Sequence, residues 1–263
     1  MRIFDDLNAW ELGGYKGKDG KHVKHNLILR TQKLHDMSEA QLKTLVDVYH
    51  LKTVIDFRMT VEKDDYPDPV LEGVHNYHIK IIDEEQLRAH LGEEPRMNPA
   101  DHGNFLEEVR MMIKNNVFAD DMYIGFVEGV GKKGYEEFFR RVLETDEGAL
   151  LFHCTSGKDR TGIAAMLLLG VLGVDEETII NDYLLTNTYN EPIIQKRMSL
   201  FKAQLGDDYS DDLIMMAEGV KAECMRRVID YIKSHYGSIT DYVKNELHIS
   251  EEEITILQNR YLV

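Results

Sequence analysis

The chain has 263 residues, 43% hydrophobic and 30% charged, with only 5 Pro and 19 Gly, which suits a buried core and excludes disordered, collagen-like and membrane-spanning classes. Lys and Arg number 31 against 47 Asp and Glu, a formal charge of −16, so the overall field repels nucleic acids and acidic membranes as partners. It does not exclude a small anion, because aligned backbone N–H groups and one Arg make a locally positive pocket.

The longest apolar stretch, Gly162–Val174, is too short for a bilayer span, and the start MRIFDDLNAWELGG carries acids where a signal peptide has a basic and then an apolar region. With only two cysteines, Cys154 and Cys224, no disulfide framework is expected and a reducing, cytoplasmic location is the natural home, with leaderless secretion left open. No repeat or Gly/Ser-rich linker divides the chain, so a single domain over 1–263 is expected.

In chain order, Gly13-Gly14, Gly17 and Asp19-Gly20 mark a hairpin turn leading to a strand over 26–30. Ser38 with Gln41 forms a capping box, and Leu42, Leu45, Val46 and Tyr49 follow at helical spacing, predicting a helix over 39–50. Residues 53–57 and 74–82 are strand-like. His75 and His78, three apart on a strand, face opposite sides, so no metal pair is expected there. Residues 83–121 are charged and loosely periodic, and predict a helical insertion of the kind that covers a site.

Gly134 opens an amphipathic helix with Tyr135, Phe138, Phe139, Val142 and Leu143 on one stripe, and residues 149–153 form an apolar strand. From 175 to 263 the chain reads as helical. Leu213, Met216, Val220, Cys224, Val228 and Tyr231 share one stripe, which makes Cys224 a structural thiol, and Ser250 with Glu253 caps the last helix. Helices separated by short apolar strands predict an α/β fold with a central, mainly parallel sheet.

The segment LLFHCTSGKDRTGIAAMLLL runs an apolar strand into His153 and Cys154, then five residues, then Arg160 at the start of an apolar helix. Thr155, Ser156, Gly157, Lys158 and Asp159 can curl so that successive N–H groups face a phosphate, with the helix N-terminus adding its positive end. Gly157 permits the curl. Arg160 offers a planar fork matched to two phosphoryl oxygens. This setting favours the thiolate of Cys154, and Thr161 is placed to donate to the sulfur when it leaves.

HCTSGKDRTG resembles the HC-x5-R-[ST] signature of the cysteine-dependent protein tyrosine and dual-specificity phosphatases, and its GKDRTG ending looks like the bacterial LipA-like, or atypical lipid, branch. Leu12-Gly-Gly-Tyr15, Leu29-Arg-Thr31 with Lys33-Leu34, Val54-Ile-Asp-Phe-Arg58 with Glu62, and Pro67-Asp68 resemble that branch's N-terminal hallmarks; Tyr236-Gly-Ser238 and the last helix resemble its C-terminal part. Two positions depart from it: Asn8-Ala-Trp-Glu11 precedes the Gly pair, and Arg30-Thr-Gln32 stands where Arg-Ser-Gly is commoner. The resemblance implies a tyrosine-phosphatase-like fold and a metal-independent, cofactor-free phosphatase. Its substrates would be phosphotyrosine proteins, phosphoinositides, or both.

The general acid has several candidates. The branch favours the loop aspartate, here Asp159; Asp56, at the end of a strand, is next. Placement some thirty residues before the cysteine would give Asp120 or Asp121. Tyr66-Pro67-Asp68 resembles the acid-bearing loop of larger tyrosine phosphatases but reads more readily as a turn. Lys158 is either a solvated loop lysine or, as the branch suggests, a second phosphate contact. Two other functions compete: a catalytically silent phospho-binding module, and a sulfurtransferase or redox enzyme using Cys154.

Overall fold

A computed structural model of the chain describes residues 1–85, 122–205, 215 and 218–263. The expected insertion lies outside the described residues from 86 onward, as do Asp120 and Asp121. Five strands, β1 (Ala9–Glu11), β2 (Ile28–Thr31), β3 (Leu51–Asp56), β4 (His75–His78) and β5 (Ala149–His153), form one sheet in the order β1-β2-β5-β3-β4. β1 runs antiparallel to β2, and all other pairs are parallel. The fold is therefore α/β with a mostly parallel sheet.

Among the described residues the α-helices are α1 (Glu39–Asp47), α2 (Thr60–Asp65), α3 (Met122–Phe126), α4 (Gly129–Glu144), α5 (Asp159–Val171), α6 (Glu176–Tyr189), α7 (Glu191–Leu205), α8 (Ala222–Tyr236), α9 (Ile239–Asn245) and α10 (Glu251–Tyr261). Both faces of the sheet are covered. Side chains alternate across a strand, so on β5 Leu150 and Phe152 join the larger core while Ala149 and Leu151 join the smaller one with Leu45 of α1. Burial on both sides explains why β5 is apolar from Ala149 to Phe152.

α5 is buried almost all round, from Arg160 through Leu169 and at Val171. A helix apolar on every face belongs inside a core, and its glycines allow close crossings. A Cβ on Gly162 would lie 2.8 Å from the Tyr183 ring, and one on Gly170 would lie 2.6 Å from Ile239. The capping boxes at Ser38–Gln41 and Ser250–Glu253 both form.

Several boundaries differ from the sequence reading. β4 is four residues, not nine, because only 75–78 pair with β3. α1 stops at Asp47, since His50 takes a positive φ. α4 begins at Gly129, five residues before Gly134. The glycines there serve packing rather than breaking the helix: a Cβ at 131 would meet the Phe126 carbonyl at 2.1 Å and one at 134 the Lys80 carbonyl at 2.5 Å. α8 begins at Ala222, so Val220 precedes it, and residues 213 and 216 lie outside the described residues. The edge strand β1 has no counterpart in the sequence reading.

Candidate active site

β2 and β3 flank β5, with Thr31 opposite His153 on one side and Asp56 opposite it on the other. The loop after His153 is held from outside by its carbonyls. The Thr155 carbonyl accepts from the Lys33 N–H at 3.1 Å, that of Ser156 from Asn8 Nδ2 at 2.7 Å, and that of Gly157 from Arg30 Nη2 at 3.0 Å. In a trans peptide the N–H opposes the C=O, and no described peptide bond is cis. Tying these carbonyls outward therefore turns the next N–H groups, of Ser156, Gly157 and Lys158, toward the loop's interior. The amides of Thr155, Ser156 and Gly157 donate to no group among the described residues, which leaves an anion nest at the N-terminus of α5.

Gly157 is the residue the curl depends on. Its φ is +68°, and a Cβ there would lie 2.4 Å from the Thr31 carbonyl oxygen. Arg30, fully buried, is balanced by Asp182, with Nη1 to Oδ2 at 2.8 Å, and its guanidinium stacks 4.1 Å from the Trp10 ring centroid. Asp182 also accepts from Trp10 Nε1 at 2.7 Å and the Tyr15 hydroxyl at 2.8 Å. A buried charge set of this kind persists only when each member is paired.

Glu62 of α2 determines how Arg160 is presented. Arg160 Nη1 donates to Glu62 Oε2 at 2.6 Å and to the Phe57 carbonyl at 3.2 Å, and Nη2 donates to Glu62 Oε1 at 2.9 Å. A guanidinium has five N–H donors. Three are used here, and among the described residues the Nε–H and one Nη2–H, which share an edge, remain for a ligand. Glu62 also accepts from the Met59 N–H at 2.7 Å and from the Thr155 hydroxyl. Burial raises the pKa of Glu62, but Arg160 outweighs it and holds the carboxyl below its ordinary range. Arg160 in turn interacts electrostatically with Cys154, which is buried.

Asp159, first in α5, keeps its side chain 23% exposed. Its Oδ1 accepts from the Tyr123 hydroxyl of α3, and that hydroxyl is 2.7 Å from the Tyr183 hydroxyl of α6. Its Oδ2 lies 3.7 Å from Lys158 Nζ. Lys158 is buried, with Nζ donating to the Gly219 carbonyl at 3.2 Å, so the solvated-lysine reading does not hold: the ammonium is tucked against the backbone before α8.

Behind the loop, His153 Nε2 lies 3.0 Å from Asp68 Oδ2, and Nδ1 is 3.9 Å from Asp56 Oδ1. Arg58 joins the two carboxylates. It donates through Nε to Asp56 Oδ1 at 2.9 Å and through Nη2 to Asp56 Oδ2 at 2.8 Å and Asp68 Oδ2 at 2.7 Å. Burial disfavours a charge on His153, but Asp56 and Asp68 outweigh it and raise its pKa. Burial raises Asp56 and Asp68 too, yet His153 and Arg58 bring both below their usual range. Asp56, Asp68 and His153 could converge on a cation by distance alone, but the Arg58 guanidinium already bonds both carboxylates. A carboxylate held ionised by His153 and Arg58 is also a poor proton donor, which weakens Asp56 as an acid. Asp68, read from sequence as part of a turn, is an ion-pair partner of the same network.

A model of the tyrosine phosphatase family matches residues 5–263. The chain belongs to the tyrosine phosphatase family. It is 29% identical over 264 residues to a provisionally named tyrosine-protein phosphatase of Cupriavidus necator, covering 98% of this chain and 87% of that protein. A tyrosine-protein phosphatase of Nostoc commune is 32% identical over 149 residues, 54% of this chain and 50% of that one. The triple specificity protein phosphatase PtpB of Mycobacterium tuberculosis is 29% identical over 105 residues, 36% and 38% of the two chains. Family membership implies a phosphorylated substrate, and no helix among the described residues is long and apolar enough to cross a membrane.

In this phosphatase, residues 153–161 form one continuous strand–loop–helix, and Asp56 stands beside His153. The Thr161 hydroxyl is buried with no hydrogen-bond partner among the described residues. Cys224 is half-buried rather than buried, in the first turn of α8, and burial followed by the charge of Asp159 raises its thiol pKa. Asn8, Arg30, Asp182, Tyr123 and Tyr183 had no assigned role in the sequence reading. Glu62 stood there only as a hallmark of the resemblance.

Proposed function

We propose that the protein hydrolyses phosphomonoesters through a cysteinyl-phosphate intermediate, with phosphotyrosine proteins and phosphoinositides as the substrate classes and the LipA-like branch as its place in the family. The observation that carries this reading is the pairing of inward-turned loop amides with the free edge of Arg160 around a buried cysteine. Together they supply fixed positive charge to a phosphoryl group as its geometry changes, and positioning with electrostatics is most of what phosphoryl transfer requires.

In the first step the Cys154 thiolate attacks phosphorus and the P–O bond to the leaving group breaks, while Asp159 gives its proton to the departing oxygen. In the second, water attacks the phosphorus, Asp159 takes the water's proton, and the S–P bond breaks to return the thiolate and release phosphate. The Thr161 hydroxyl, which has no hydrogen-bond partner among the described residues, is a donor for the sulfur as it leaves. An unsatisfied buried hydroxyl costs about 1–3 kcal/mol, and such a group in a native structure calls for an explanation, a catalytic role among them. The loop amides and Arg160 carry the charge-stabilising role, so the chemistry asks for no metal or organic cofactor. Both cysteines are free thiols, which supports a reducing, cytoplasmic setting.

The test is phosphate release, in EDTA, from a phosphotyrosine peptide and a phosphoinositide in parallel, with Cys154→Ser as control. Turnover abolished by the substitution is expected, and the ratio of rates assigns the substrate class. A protein that binds tungstate but turns over neither substrate would instead be a binding module.

A further inference from the structure

Asp159 is half of a contact that the reaction scheme above does not use. Tyr123 is nearly buried, and its hydroxyl bonds Asp159 Oδ1 while lying 2.7 Å from the Tyr183 hydroxyl. We infer that Tyr123, backed by Tyr183, is a positioning residue for the general acid: it fixes the Asp159 carboxyl by one oxygen and leaves Oδ2 as the oxygen that carries the proton to the leaving group. The inference rests on the proposed role of Asp159.

The direction of the hydrogen bonds follows from counting protons. An ionised Asp159 has none to give, so Tyr123 commits its single proton to Oδ1. The Tyr123 oxygen can then act only as acceptor toward Tyr183, which therefore donates. Burial, and after it the charge of Asp159, keeps both phenols protonated well beyond neutral pH, so the chain of donors persists at working pH. With Oδ1 occupied, the carboxyl cannot rotate freely, and a proton arriving on it sits on Oδ2. This is also the oxygen 3.7 Å from Lys158 Nζ. The ring of Tyr123 is fixed in turn, edge-on to Phe126 with centroids 5.7 Å apart and to Tyr183 at 6.5 Å.

A positioning role differs from a packing role in its dependence on the leaving group. A phosphotyrosine peptide needs a proton as its phenolate departs, whereas an activated aryl phosphate leaves as a stable anion and needs none. The experiment measures kcat for both substrates in wild type, Tyr123→Phe, Tyr183→Phe and Asp159→Asn, with tungstate inhibition reporting an intact loop. Removing general acid catalysis in Asp159→Asn should lower the ratio of peptide to activated rates by about a hundredfold or more. Tyr123→Phe should lower the same ratio by about tenfold, the equivalent of one hydrogen bond to a charged group, with unchanged tungstate inhibition. Tyr183→Phe should lower it less, since Tyr123 keeps its bond to Asp159.

If Asp159→Asn leaves the ratio at the wild-type value, the acid assignment itself fails. If Asp159→Asn lowers it and neither tyrosine variant does, the acid stands and the positioning role is overturned. Equal loss on both substrates in the tyrosine variants would likewise assign them to packing alone.

Discussion

The Glu62 carboxylate grips one side of the Arg160 guanidinium through two hydrogen bonds, at 2.6 and 2.9 Å, and so fixes which edge of Arg160 is left for a ligand. Both side chains are buried. Removing Glu62 leaves a buried, unpaired guanidinium, which should cost about 3–5 kcal/mol. Glu62→Ala is expected to lower the denaturant midpoint and, in the folded fraction, to reduce kcat/KM as Arg160 loses its fixed orientation. Urea unfolding with steady-state kinetics on the same samples checks this, and an unchanged midpoint would mean that the pair is not formed in solution.

Arg160→Lys keeps the charge but replaces a planar fork with a point charge. The loss of a preorganised donor at the transition state is expected to lower kcat by about 10²–10³-fold, with little effect on stability because Glu62 still meets a cation. Kinetics together with a thermal melt separate the two effects.

The loop's curvature rests on Gly157 and on the outward ties. Gly157→Ala places a Cβ 2.4 Å from the Thr31 oxygen at a φ of +68°, so loss of activity is expected even where the protein folds. Asn8→Ala frees the Ser156 carbonyl and should destabilise by about 1–2 kcal/mol, with weaker tungstate binding as the amides lose their aim. Calorimetric titration with tungstate measures this, and full affinity in Asn8→Ala would show that the tie is dispensable.

The loop and its two ends were legible in the sequence because strand, nest and helix are contiguous, and every residue type there is dictated by local geometry. The supporting residues were not legible for the opposite reason. Glu62 and Arg160 are 98 residues apart, Arg30 and the Gly157 carbonyl 127, and Arg30 and Asp182 152. They meet because β2 and β3 lie on either side of β5, and no periodicity encodes that order. The start of α4 was missed because glycine reads as a helix breaker, while here close contact with the Phe126 and Lys80 carbonyls outweighs the propensity. β1 was missed because three residues carry too little alternation to register.

The network behind the loop makes stability depend on pH in two directions. His153 has a raised pKa in the folded state, so its contribution is full below the unfolded value of about 6.5 and is lost as pH rises through the folded one. Asp56, Asp68 and Glu62 are lowered, so their contributions are full above about pH 4 and are lost as pH falls through their folded values. Stability should therefore be greatest between about pH 4 and 6.5, with an alkaline decline that His153→Asn removes. Unfolding free energies measured across this range test the sign, and a rise in stability above pH 7 that depends on His153 would contradict it.

The central claim is that Cys154 carries the phosphoryl group. Rapid acid quench during turnover of a phosphotyrosine peptide, followed by mass spectrometry of the digested protein, tests it directly. The account predicts a phosphoryl adduct on the peptide containing Cys154, formed as fast as the first turnover and absent in Cys154→Ser. Turnover with no adduct there, or activity surviving in Cys154→Ser, would contradict it.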